Sequence, residues 1–323
     1  MKCGQLRCLV VAFAASAVLA ACGPQGGGGT GGPGDAENES RTVGACLLTQ
    51  THIFYQEMVD AMQQEADKHN IRLQVQYCEF DSAKQNDQVQ TFLAKGADAL
   101  IIAPNDSAGV RPVIEDARSR GVPVFTVDIA AHDADVVSHI ASDNVEGGRL
   151  IARYLAKALD GTGQVAIIDH PEVASVQDRV AGFEEVLAQY PNIEIVAKAP
   201  GGGKRDVALI AAQDVLQSNP DLDAVFGIND DSALGALAAV EAAGLGDALI
   251  IVGYDGTPEA RQAILKGTAL KADTVQHPRA IGTTAIQIVA DYFGGRAVPK
   301  EVPVAVEVID QESLRNEAQG DAQ

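Results

Sequence analysis

From Thr42 onward, short apolar runs alternate with longer stretches in which apolar residues return every three or four positions. The short runs read as strands: 43–48 (VGACLL), 72–77 (RLQVQY), 98–103 (DALIIA), 122–127 (VPVFTV), 136–141 (VVSHIA), 164–169 (QVAIID), 193–199 (IEIVAKA), 223–228 (DAVFGI), 248–254 (ALIIVGY), 270–275 (LKADTV) and 304–309 (VAVEVI). The longer stretches, such as 54–69, 85–95, 144–159, 176–189 and 278–293, carry helical spacing. Near-continuous apolar strands separated by helices predict parallel sheets covered on both faces. Eleven strands are too many for one core in 323 residues, so the pattern predicts an α/β fold in two lobes.

In open α/β sheets a ligand sits beyond the carboxyl ends of the strands. The polar residues expected at that edge are Thr49, His52, Asn105, Asp106, Asp128, Asp143, Asn144, Asn229, Asp230, Asp231, Asp255 and Gln276. An Asp, Asn or Ser there has a plainer use, which is to cap the next helix. Capping is the expectation for Asp106, Ser107, Asp231 and Ser232. Asp128 and Asp255 need not start a helix themselves, so ligand contact gains weight for them. The runs 99–107 (ALIIAPNDS) and 224–232 (AVFGINDDS) both place Asn-Asp and then Ser after an apolar run. Two lobes of similar topology would do this.

The first 40 residues stand outside the alternation. Lys2 and Arg7 precede 13 apolar or small residues, 9–21. That run is too short to cross a bilayer as a helix and fits a secretory signal, 1–21. The stretch 19–22 (LAAC) resembles a bacterial lipobox, which implies cleavage before Cys22 and a lipid on its thiol. The Gly-rich and then polar segment 22–40 cannot bury a core and reads as a flexible tether. The expected place is therefore outside the cytosol, periplasmic or on the outer face of the cell membrane, anchored through Cys22. Without 1–21 the chain carries 22 basic and 44 acidic residues, a net charge of −22, and nucleic acid is not an expected partner. Of the five cysteines, Cys3 and Cys8 leave with the signal. Cys46 and Cys78 remain at the first two strands, either as a disulfide or as two buried thiols, and their depths along the strands differ.

Motifs for catalysis and metals are not met. Gly201-Gly202-Gly203-Lys204 has the place of a phosphate loop, but GxxxxGK[ST] would need Gly at 198 and Ser or Thr at 205, where the chain has Lys198 and Arg205. Gly161-Thr162-Gly163 precedes a strand and does not open a helix, so it is not a dinucleotide fingerprint. HExxH and GxSxG do not occur, and the six His are scattered without ligand spacing. The expectation is a protein that is not an enzyme, with no catalytic residue, no metal and no cofactor.

The segments 136–144 (VVSHIASDN), 179–183 (RVAGF), 229–237 (NDDSALGAL) and 253–258 (GYDGTP), with Gln276 after a late strand, resemble the ribose-type periplasmic sugar-binding proteins. These are the substrate-capturing components of ABC importers, with the type 1 periplasmic binding protein fold and a LacI-like core. The resemblance covers nearly all of 42–310. It implies two Rossmann-like lobes with parallel sheets joined by a hinge of three crossings, near 142–143, 276–277 and 305–306. Lobe one would be 41–142 plus 277–305, and lobe two 143–276 plus 306–315, followed by a tail at 316–323. The resemblance places the ligand near Thr49, His52, Phe54, Tyr55, Asp128, Arg179, Asn229, Asp255 and Gln276, with Tyr254 lining the same region. Asp230 is left open between orienting Asn229 and touching the ligand.

The chemistry suits a polyhydroxylated ligand. Asp accepts from two hydroxyls, Arg donates a fork, Asn and Gln do both, and aromatic rings pack on the C–H face of a sugar. Phe54 has a second reading as an anchor of the first helix, because Phe54, Met58, Ala61 and Met62 share helical spacing. The chain departs from the family in four places. Ile129 follows Asp128 where Arg is usual, His52 stands for Asn, Thr49 stands for Ser, and Gly203 stands for an aromatic. The implied function is capture of a neutral monosaccharide or polyol by a monomer that docks on an ABC permease and its ATPase subunit. A receptor for a sugar-like signal molecule is the alternative.

Overall fold

The computed structural model describes residues 40–320. The expected signal, Cys22 and nearly all of the tether lie outside the described residues. The chain runs β1 (Arg41–Leu47), α1 (Ile53–Lys68), β2 (Ile71–Tyr77), α2 (Ser82–Ala94), β3 (Ala99–Ile102), α3 (Arg111–Ser119), β4 (Val124–Val127) and β5 (His139–Ser142). It continues with α4 (Asn144–Ala158), β6 (Thr162–Asp169), α5 (Ala174–Leu187), β7 (Asn192–Pro200), α6 (Arg205–Ser218), β8 (Ala224–Gly227), α7 (Asp230–Ala242), β9 (Ile250–Asp255), α8 (Pro258–Lys266) and β10 (Leu270–Val275). The last elements are α9 (Pro278–Phe293), β11 (Glu301–Val304), β12 (Glu307–Asp310) and α10 (Gln311–Gly320).

Two six-stranded sheets result, in the orders β11-β5-β4-β3-β1-β2 and β12-β10-β9-β8-β6-β7. Every pairing is parallel except β10 with β12. The central strands are buried on both faces, as their apolar runs require. The chain passes between the sheets after β5, after β10 and between β11 and β12. Two hydrogen bonds tie these crossings together. Asp143 N–H donates to Val304 O (2.8 Å), and Ser142 Oγ donates to Gln276 Oε1 (2.7 Å).

The run 304–309, expected as one strand, is corrected to a crossing between two. β11 lies parallel to β5 in the first sheet, and β12 turns antiparallel to β10 in the second. No straight strand can serve both. Pro303 is tolerated because β11 is an edge strand. α10 extends into the segment expected as a tail, where Glu317 pairs with Arg261 of α8 (2.9 Å). Cys46 and Cys78 are free, buried thiols. Cys46 is opposite Gln76 in the β1–β2 register, two positions short of Cys78. At ~3.3 Å per residue and ~4.8 Å between strands, their Cα atoms are about 8 Å apart, beyond disulfide reach.

Helices α4 and α5 meet backbone to backbone. A Cβ on Gly148 would stand 2.0 Å from Arg179 O, and one on Gly182 would stand 2.0 Å from Val145 O. This contact matters because α5 carries Arg179. Gly148→Ala is expected to destabilise the fold by about 1–3 kcal/mol in urea unfolding. An unchanged midpoint would mean that the two helices are not in contact there.

Candidate functional site

About 530 Å³ of empty space lies between the carboxyl ends of the two sheets. Thr49, His52, Phe54, Tyr55 and Asp128 line it from the first sheet's side, Arg179, Asn229 and Asp255 from the second's, and Gln276 from a crossing. Tyr254, the tenth residue expected there, does not reach it. Neighbours along a strand point to opposite faces, and Asp255 takes the cavity side. The Tyr254 ring is fully buried behind Arg179, 3.9 Å from its guanidinium carbon, and its hydroxyl faces Asn144 Oδ1 (3.4 Å). It fits against α4 only because Gly147 has no side chain: a Cβ there would stand 2.2 Å from the Tyr254 hydroxyl.

Asp128 has φ +63°, unusual outside glycine, which turns its carboxyl into the cavity. Oδ2 accepts from the Tyr55 hydroxyl at 2.6 Å, and Oδ1 has no partner among the described residues. Burial pushes this carboxyl up to about 6, against the pull of Arg179 and the Tyr55 hydroxyl. Arg179 is held on three sides: Nε donates to Asn144 Oδ1 (2.8 Å), Nη1 donates to Ile228 O (2.9 Å), and the Tyr254 ring stacks below. Its Nη2 makes no hydrogen bond among the described residues. Asp255 Oδ1 accepts from Gln276 Nε2 (2.6 Å), and Oδ2 faces His52 Nε2 (3.5 Å). His52 also caps α1, its Nδ1 accepting from Phe54 N–H (3.2 Å), so the neutral ring carries its proton on Nε2 toward Asp255.

Three expected residues have their polar atoms engaged by the protein. Thr49 Oγ1 donates to Glu79 Oε2 (2.8 Å). Gln276 accepts from Ser142 and donates to Asp255. Asn229 is the N-cap of α7, with Oδ1 accepting from Ser232 N–H (2.9 Å) and Nδ2 donating to Gly203 O (3.1 Å). The capping role expected of Asp231 and Ser232 thus belongs to Asn229, a correction. Asp231 instead pairs with Arg205 (3.2 Å). Asp106 accepts from Ala108 and Gly109 N–H (2.9 and 2.8 Å) in the turn before α3, whose N-cap is Val110, so the expected helix cap is corrected to a turn. Ser107 reaches the other lobe, its Oγ accepting from Ala174 N–H at the start of α5 (2.9 Å).

Sequence reasoning missed Phe80, His170 and Ser175, all at the cavity. Phe80 supplies an aromatic wall on the side where Gly203 has none, with Lys204 Nζ 4.6 Å from its ring centre. A Cβ on Gly203 would stand 3.3 Å from His170 Nδ1, so the imidazole takes the space that the glycine leaves. Burial pulls His170 below the usual histidine range and keeps it neutral. The strand-end census that found Asp128 also points to His170, which directly follows β6. Among the described residues, no group of three or more His, Cys, Asp or Glu is placed to hold a metal ion.

A sequence model of the periplasmic binding protein domain matches residues 43–297. The chain is 31% identical over 281 residues to the ribose import binding protein RbsB of Bacillus subtilis, covering 86% of this chain and 90% of that one. The chain belongs to the periplasmic binding protein family. Another member, the xylitol-binding protein of Mycolicibacterium smegmatis, is 32% identical over 267 residues, covering 80% of this chain and 76% of the relative. Among solved structures, the fructose-binding periplasmic domain of a hybrid two-component system superposes with a TM-score of 0.82 at 27% identity, covering 88% of this chain and 95% of that one. That superposition extends over both lobes of the α/β architecture described above.

The raised Asp128 carboxyl has a consequence for stability. Its folded value lies above the ordinary 3.8, so its contribution is fully present below that value and is lost as pH rises through about 6. Ligand-free Asp128→Asn is expected to melt above the wild type by about 1–3 kcal/mol of stability near pH 8, and like it near pH 4. Melting curves at both pH values check this, and a gap independent of pH would contradict it.

Proposed function

We propose that the protein captures a neutral monosaccharide or polyol in the cleft and hands it to an ABC importer. The observation that carries this reading is the pairing of an unused acceptor, Asp128 Oδ1, with an unused donor, Arg179 Nη2, at one cavity walled by Phe54 and Phe80. Hydroxyls that both donate and accept match such a pair, and ring C–H faces match the aromatic walls. The names of the relatives support the ligand class: ribose, xylitol and fructose. Asp128 and Asp255 outweigh Arg179 by one negative charge when His52 is neutral, which disfavours sugar acids and sugar phosphates.

The mechanism is capture without chemistry. Ligand hydroxyls join groups on both lobes, so the apposed arrangement gains the binding energy and becomes populated. On this reading lobe one is 41–142 plus 277–305 and lobe two is 143–276 plus 306–315, as the sheet membership supports. The protein acts as a monomer outside the cytosol, tethered through a lipid on Cys22, and its partners are a permease and its ATPase subunit. A signalling role is the second reading, favoured by the likeness to the fructose-binding periplasmic domain of a hybrid two-component system. Loss of labelled-sugar uptake in cells lacking the protein separates transport from sensing.

A thermal-shift panel of pentoses, hexoses, polyols and furanose signals, followed by calorimetry, tests the ligand class. A true ligand adds about 2.7 kcal/mol of stability at a hundredfold excess over Kd. Asp128→Ala is expected to cost about 1.5–3 kcal/mol of affinity. Tight binding of a sugar phosphate with no neutral sugar, or unchanged affinity in Asp128→Ala, would overturn the proposal.

A further inference from the structure

Behind Asp255 lies a pair of carboxyls that the sugar site does not use. Asp273 of β10 is 0% exposed, and Asp230, at the start of α7, is 1% exposed. Their side chains come together over Gly253 of β9. Both flank Gly253, where a Cβ would stand 3.1 Å from Asp230 Oδ1 and 3.2 Å from Asp273 Oδ2. Among the described residues, no well-aligned N–H or O–H group donates to Asp230 Oδ1 or to either oxygen of Asp273. The groups facing Asp273 are Asp230 from α7, Asp255 from β9 and the backbone amide of Gly256. Across from it on β12 is the apolar Ile309. Arg261 of α8 is turned to Gly256 O and Glu317 instead. His52 faces Oδ2 of Asp255.

Two touching carboxylates in a dry site do not both ionise. Burial, and Asp230 beside it, hold the Asp273 carboxyl well above the usual range. A protonated Asp273 has an O–H to give, and Asp230 Oδ1 is the acceptor in contact with it. Asp230 passes the order onward: Oδ2 accepts from Thr257 N–H (2.7 Å), and its own N–H points at Asp255 Oδ2 (3.4 Å). The turn so gripped contains Gly256 at φ +76° and Asp255 at φ +134°.

We propose that Asp273 is a positioning residue of the ligand site: one proton shared by Asp273 and Asp230 clamps the turn at 255–257 and so fixes the Asp255 carboxylate at the cavity. The step to ligand affinity rests on the reading of Asp255 as a sugar contact given above.

Two variants test it. Asp273→Asn keeps an N–H donor to Asp230, and Asp273→Ala removes it. With the best sugar of the panel in calorimetry, the Ala variant is expected to raise Kd about tenfold and the Asn variant to stay within about threefold of the wild type. Ligand-free melting supplies the second readout. The folded-state carboxyl lies above its unfolded value, so its stabilisation is complete only below the unfolded value and is lost as pH rises. Asp273→Asn is therefore expected to melt above the wild type near pH 9, with the gap closing toward about pH 4. Wild-type affinity in the Ala variant overturns the positioning role. A wild-type pH slope in the Asn variant overturns the shared proton. If the wild type binds no sugar, the functional reading fails instead, and the melting experiment still decides the proton.

Discussion

One buried guanidinium shares the cavity with two buried carboxyl groups, those of Asp128 and Asp255, and two more lie behind Asp255. Among the described residues, Arg179 is the only Lys or Arg in the interior, against Asp128, Asp230, Asp255 and Asp273. Removing such charges from water costs several kcal/mol each unless partners replace the solvent. The partners found divide the site. Arg179 is anchored by Asn144, Ile228 O and the Tyr254 ring, Asp128 by Tyr55, and Asp255 by Gln276 and His52. Around Arg179 and Asp128 the groups without a protein partner belong to the cavity lining, where on the proposed reading ligand hydroxyls would take the place of water.

The same partners join the site to the hinge. Gln276 holds Asp255 with one end of its amide and Ser142 with the other, so a side chain at one crossing touches both another crossing and the ligand wall. Asp143 N–H, bonded to Val304 O, adds the third crossing. Away from the hinge, the lobes meet through Ser107 with Ala174, Phe80 with Lys204, and His52 with Asp255. Contacts of these kinds are worth about 0.5–1.5 kcal/mol each. On the proposed reading the ligand adds to these the contacts it makes with both lobes.

The sequence made the scaffold legible because a buried parallel strand has little choice but to be apolar. Runs such as ALII at β3 and AVFG at β8 could be read directly. The crossing at 305–306, implied by the family resemblance, was not visible as a break in the pattern, because both halves of VAVEVI have strand character and only tertiary pairing separates them. The site was legible where a polar residue ends a strand, as with Asp128 and Asp255. It was not legible where direction mattered. Tyr254 differs from Asp255 by one position and faces the other way, and Asn229 was free to be cap or contact until the geometry gave both ends of its amide to the protein. Phe80 arrives from a loop with no periodicity to announce it.

Backbone strain marks the site independently of any ligand. Among the described residues, seven other than glycine have positive φ: Asn70, Glu79, Phe80, Asp128, Asp133, Asp160 and Asp255. Asn70 and Asp160 follow the ends of α1 and α4, where a left-handed residue is an ordinary way to leave a helix. Asp133 lies in a turn away from the cavity, while Glu79, Phe80, Asp128 and Asp255 follow no helix and each costs of order 1 kcal/mol. Phe80, Asp128 and Asp255 line the cavity, and Glu79 holds Thr49, which also lines it. Glycine at these positions would relieve the strain and lose the side chain. The strain is retained where a ring or a carboxyl must point inward, and the cavity between the lobes gives those side chains a common target.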